Sequence, residues 1–188
     1  MPQPARKLRA DAARNRARVL EVAYETFAAE GLAVPIDELA RRAGVGAGTV
    51  YRHFPTKEAL FTAVIADRLR RLIDDGRALL DSEGPGEALF SFLRSAVLQW
   101  GATDRGLVDA LAGSGIDIAS AVPDAEGAFL AVLDELLRAA QRAGTARSDV
   151  GVKEVKAILV GCQAMEAYNS ELAERVTDVV VDGLRPPR

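Results

Sequence analysis

The chain has one cysteine, one histidine and one tryptophan in 188 residues, and each scarcity removes a class of explanation. A lone cysteine, Cys162, makes no internal disulfide, which suits a reducing compartment and places the protein in the cytoplasm. A lone histidine, His53, with no second His or Cys cluster leaves no ligand set for a metal, so neither a metal site nor a cofactor is expected. No nucleophile and orienting acid can be named beside His53, and Glu166 with Asp182 is not a paired-carboxylate signal. An enzyme is therefore not expected. No apolar run approaches the about 18–20 residues of a membrane span, so no membrane partner is expected either. The opening MPQPARKLRADAARNRAR is basic but lacks an apolar stretch and a cleavage site, which argues against a secretory signal.

What is present is a soluble composition with an uneven charge. Hydrophobic residues make up 49% and charged residues 27%, enough for a real core in an ordinary soluble domain. The net charge of −3 divides unequally. Residues 1–55 hold nine Lys/Arg and six Asp/Glu, a balance of +3, and residues 56–188 hold fifteen and twenty-one, a balance of −6. Arg6, Lys7, Arg9, Arg14, Arg16 and Arg18 crowd the first turns against Asp11 alone. A basic end on an acidic body points to a polyanion partner held at that end; a frayed, solvated basic tail is the competing reading.

Helical periodicity runs through nearly every segment. From Ala13 to Glu30 the residues Leu20, Ala23, Tyr24 and Phe27 fall three or four apart, with Gly31 as a stop. Pro35 suits a first helical position ahead of Asp37 and Glu38, and Gly44 closes that short helix. A third short helix runs to Phe54, and Thr56 is placed to cap a fourth of about 20 residues. After the SEGPGE break at 82–87, helices are predicted at Ala88–Trp100, Arg105–Leu111, Glu126–Ala143, Val152–Tyr168 and Ser170–Leu184. Residues 112–127 read as a loop with a short helical turn. The expected fold is all-α.

The stretch GVGAGTVYRHFPTKEALF, residues 44–61, carries the functional signal. Ala43-Gly44-Val45 is the short glycine-containing turn of a helix-turn-helix, and Val45, Val50 and Phe54 fall on an inward face. The outward face offers Ala47 and Gly48, then Thr49, Tyr51, Arg52 and His53. Small residues first and donors after is the order a helix needs to enter a major groove, since its first turn nears base edges and phosphates flank it. A helical hairpin with a solvated face is the bland alternative.

These segments resemble the TetR family of transcriptional regulators. RVLEVAYETFAAEG is similar to that family's first helix, IDELARRAGVG to its second helix and turn, and AGTVYRHFPTKEALF to its recognition helix and the start of the fourth. The resemblance implies a homodimer that binds double-stranded DNA at a palindromic operator and takes a small-molecule effector in a larger C-terminal domain. It divides the chain into a reading head at 1–55, with a basic arm at 1–13, and a ligand-binding and dimerisation domain at 56–188. It implies backbone contacts from Thr49, Tyr51, His53 and Lys57, base-facing positions at Ala47, Gly48 and Arg52, and backbone or minor-groove contacts from Arg14 and Arg16. Gly46 departs from the family by standing where a capping Ser is common, and Pro35 stands near a usual Thr or Ser phosphate contact.

In the C-terminal part, Cys162 reads as a buried small hydrophobe rather than a redox sensor. Trp100 either packs a core or, as the resemblance implies, lines a ligand pocket with Phe90, Phe129, Leu133 and Met165. The resemblance also implies that the last two helices form the dimer, through Leu159, Leu172, Val176, Val179 and Val180; spacing alone does not separate a shared face from an internal one. A ligand-released repressor is the leading expectation. A DNA-binding regulator without an inducer is the alternative, and a helical carrier or enzyme of the same topology is a further one.

Overall fold

The computed structural model describes residues 4–112 and 125–187. Among the described residues the chain is all-α, with α1 at Pro4–Glu30, α2 at Ile36–Arg42, α3 at Ala47–His53 and α4 at Lys57–Glu83. Then follow α5 at Ala88–Leu98, α6 at Gly101–Ala112, α7 at Ala125–Arg142, α8 at Val152–Tyr168 and α9 at Ala173–Gly183. No described helix is long and apolar enough to cross a membrane.

The differences from the sequence reading have local causes. Helix α1 starts at Pro4, so the described part of the basic arm is helical. Its Ala, Arg, Lys and Leu are all strong helix formers, and Arg14 pairs with Asp11 one turn earlier. Pro35 is the N-cap of α2, in extended conformation (φ −65°, ψ 147°), and its carbonyl accepts from the N–H groups of Glu38 and Leu39. Helix α6 begins at Gly101, earlier than Arg105, because the N–H of Asp104 already reaches the carbonyl of Trp100. Ser170–Leu172 is a 3₁₀ turn ahead of α9, capped by the Asn169 side chain, which accepts from the N–H of Glu171. The short turn of helix expected within 112–127 falls largely on residues 113–124, outside the described residues.

Two compact units form. The first takes α1 to α3, α4 as far as Asp67, and α6 from Gly106 onward. Its core is built on Leu20, Phe27, Leu39, Val50, Phe61 and Leu107. The second takes the rest of α4, α5, the start of α6 and α7 to α9. Its core is built on Leu89, Phe90, Phe92, Leu133, Leu136 and Val155. Helix α4 supplies Leu60 and Val64 to the first core, and Leu72, Leu79 and Leu80 pack against the second.

Candidate nucleic-acid interface

The helix-turn-helix is positioned by its turns. Gly31 (φ +71°) ends α1 and Gly44 (φ +66°) ends α2, both in the left-handed region that glycine enters without steric cost. The N–H of Val45 returns to the carbonyl of Ala40 at 3.0 Å, which folds the chain back into α3. An ion-pair network then holds α2 to the end of α1. Glu38 accepts from Arg41 (2.7 Å) and Arg42 (2.8 Å), and Arg42 also pairs with Glu30. Hydrogen bonds from Arg41 and Arg42 pull the Glu38 carboxyl down to about 2, and the Arg42 contact lowers that of Glu30.

Val50 on α3 and Phe54 just past its end are buried, and Val45 ahead of it is partly buried against the same core. The opposite face is open. Gly48, Tyr51, Arg52 and His53 are exposed and Thr49 is half-exposed. A Cβ on Gly48 would meet nothing within 4 Å, so the front of the helix is unobstructed. Ala47, the first residue of the helix, packs in part against the core rather than standing wholly on the outer face. That cap is Gly46, extended at φ −69°, with no side-chain hydrogen bond to the first turn.

The flanking cations have partners within the chain. The Arg14 guanidinium pairs with Asp11, and that of Arg16 lies over the Phe54 ring, 5.5 Å from its centroid. Lys57 Nζ donates to the carbonyl oxygens of Leu32 (2.8 Å) and Ala33 (3.4 Å), the turn that follows α1. Sequence reasoning had no signal for that anchor, since the two groups lie 25 residues apart. The N–H of Ala59 donates to Thr56 Oγ1 at 3.1 Å, so Thr56 caps α4. The Glu58 carboxyl is held low by its own backbone N–H and by Thr56.

The second unit distributes the remaining predicted residues unevenly. Phe90 and Leu133 are fully buried in its core, while Trp100 and Phe129 pack against that core half-buried. Met165 is half-buried on α8. Phe90 has the Arg185 guanidinium over its ring at 4.0 Å and makes no ring contact with Trp100 among the described residues. The aromatic neighbour of Trp100 is instead Phe92, with centroids 6.4 Å apart, and Phe92 also meets Phe129 at 6.5 Å. Residues two apart on a helix diverge by about 200°, which is why the choice between Phe90 and Phe92 needed the packing. Sequence reading also missed Arg68, which clasps Asp104 through two hydrogen bonds (2.7 and 2.8 Å) and lies 4.7 Å over Trp100.

On the terminal helices, Leu159 is 4% exposed and belongs to the subunit's own core, so it is not available to a second copy. Its neighbour Val160 is 54% exposed. Leu172 and Val179 are exposed, and Val176 and Val180 are half-buried. Cys162 is buried on the inward face of α8, and burial pushes its thiol pKa up.

Residues 19–64 match the model for bacterial regulatory proteins of the tetR family, and residues 84–186 match the C-terminal domain of SbtR-like transcriptional regulators. A TetR transcription regulatory protein from Mycobacterium vanbaalenii is 64% identical, with TM-score 0.84 over 95% of this chain and 99% of that one. A TetR regulator from Streptomyces coelicolor is 36% identical, with TM-score 0.80 over 92% and 99%. The HTH-type transcriptional regulator SrpR of Pseudomonas putida is 38% identical over 94 residues, half of this chain. That match spans only 44% of the length of SrpR.

Proposed function

The chain belongs to the TetR family of bacterial regulatory proteins, and from that premise we propose that it acts as a homodimeric repressor, bound to a palindromic operator and released by a small molecule. The observation that carries this reading is α3 itself: a short helix seated on a closed core by Val50, with Gly48, Thr49, Tyr51, Arg52 and His53 turned outward. In this reading Thr49, Tyr51, His53 and the remaining donor of Lys57 hold phosphates. Ala47, Gly48 and Arg52 face bases, and Arg14 and Arg16 lie along the backbone or an adjacent minor groove. Residues 1–55 carry the reading and residues 56–188 the ligand and the second copy, in the cytoplasm.

A palindrome requires two heads about 34 Å apart, or a multiple of that. Exposed Leu172 and Val179, with Val176 and Val180 beside them, are the apolar positions we assign to the contact between subunits. Ligand bound in the second unit favours a conformation whose heads no longer match the half-sites. Helix α4 is the lever, since it begins at Lys57 and continues into the second core.

Footprinting on the DNA upstream of the gene tests the reading. Two protected half-sites in inverted repeat support it, and a single uninterrupted patch without symmetry contradicts it.

A further inference from the structure

Helix α1 sends two arginines to the two ends of α3. Positions two apart diverge by about 200° around a helix, so Arg16 and Arg18 leave α1 on different sides. The Arg16 guanidinium lies over Phe54, just past the end of α3. Arg18 reaches the other end. A Cβ on Gly44 would lie 4.0 Å from Arg18 Nη1, so this guanidinium stands beside the turn between α2 and α3. Gly44, the α3 cap Gly46 and Arg18 itself are all exposed.

The companions of Arg18 on α1 and α2 are committed within the chain. Arg14 pairs with Asp11, and Arg41 and Arg42 hold Glu38 and Glu30. Arg18 has no hydrogen bond, ion pair or ring contact among the described residues. Two structural uses are open to an arginine in this place, and neither is taken. Glu21 lies one turn further along α1, at a spacing that allows an ion pair, and does not meet it. The last carbonyls of α2 do not call on it either. Those of Leu39, Ala40 and Arg41 already accept from the N–H groups of Ala43, Val45 and Gly44.

We propose that Arg18 is a phosphate-binding residue of the DNA interface, holding the backbone that borders the groove at the leading end of α3. The proposal rests on the DNA reading above and adds a contact to it. In a helix-turn-helix the first turn of the reading helix nears base edges, and phosphates border the groove. A cation beside the turn that leads into that helix is placed for the border. Guanidinium donors match phosphate oxygens in pairs, and each phosphate neutralised releases counterions. Gly44 adds no side chain beside the guanidinium to crowd a phosphate.

The test is fluorescence anisotropy of wild type, Arg18→Ala and Arg18→Lys over a series of salt concentrations. The probes are DNA from upstream of the gene and a scrambled duplex of the same length. Arg18→Ala lowers affinity for both duplexes on the order of tenfold, and the slope of log affinity against log salt falls by about one for each reading head bound. Arg18→Lys, which keeps the charge, keeps the wild-type slope. The Tm of Arg18→Ala matches wild type, because an exposed helical residue gives way to a stronger helix former. A steep wild-type slope that Arg18→Ala leaves in place overturns the assignment while the DNA reading stands. So does a loss confined to the upstream DNA, which belongs to a base contact, or a slope that falls equally in Arg18→Lys. Wild type that binds neither duplex overturns both.

Discussion

A Cβ built on Gly106 would stand 2.2 Å from the carbonyl oxygen of Ala28 and 2.9 Å from its carbonyl carbon. Helices α6 and α1 therefore meet backbone to backbone within the first unit, next to the buried Leu107. Two effects of Gly106→Ala oppose each other. Helix propensity favours alanine by about 1 kcal/mol. Overpacking against neighbours that cannot rotate away costs about 1–3 kcal/mol and wins, because the obstacle is backbone. Thermal unfolding followed by circular dichroism should show a lower Tm for the variant; an unchanged or higher Tm would mean that the helices are free to separate.

Gly46 is the opposite case. Its backbone is extended, and the nearest atom to a Cβ there is Thr49 Oγ1 at 4.0 Å. A serine hydroxyl fits and can accept from the N–H of Thr49, whose amide already points at the Gly46 carbonyl. Gly46→Ser should stabilise the protein by a few tenths of a kcal/mol, about the difference between glycine and serine at an N-cap. Denaturant titration reads this as a higher midpoint at unchanged slope. A lower midpoint would show that the cap position is not open.

Acid should loosen the joint between α1 and α2. The Glu38 carboxyl lies at about 2 in the folded chain because Arg41 and Arg42 donate to it, and its ordinary value is near 4.5. A carboxylate depressed on folding contributes stability that is present above the unfolded value and is lost as pH falls toward the folded one. Stability should therefore decline as pH drops from about 4.5 toward 2. Glu30, lowered by Arg42, acts in the same direction. Glu38→Gln should flatten that part of the stability–pH profile, and a wild-type slope in the variant would assign the loss elsewhere.

Lys57 serves two roles that one variant separates. Its ammonium holds the carbonyls of Leu32 and Ala33, so Lys57→Ala should cost about 1.5–3 kcal/mol of stability, as hydrogen bonds to charged groups do. If its third donor also meets a phosphate, the slope of log affinity against log salt should fall by about one, equally for specific and non-specific DNA. Lower stability with an unchanged slope would assign Lys57 to the fold alone.

Much of the fold was legible because it depends on local rules. Periodicity and glycine stops located α2, α3 and α8, and the stops at Gly31 and Gly44 have the left-handed φ that their position requires. What stayed hidden depends on distant partners or on adjacent residues of equal polarity. Nothing in the spacing separates Leu159, which the subunit buries, from Val160, which it leaves exposed. The clasp of Arg68 on Asp104 joins residues 36 apart, with 11% and 20% of the side chains exposed, and looks in the sequence like two solvated charges. The outward face of α3 was legible in full except for Ala47, which packs in part against the core, a contact that spacing alone does not distinguish from an outward position.

Sequence reading by α3 can be measured by fluorescence anisotropy of the wild-type chain against DNA from upstream of its own gene, with scrambled competitor and several salt concentrations. Binding that survives the competitor and weakens steeply as salt rises is the expected result. Failure to bind either DNA at low salt would overturn the assignment of α3 to DNA.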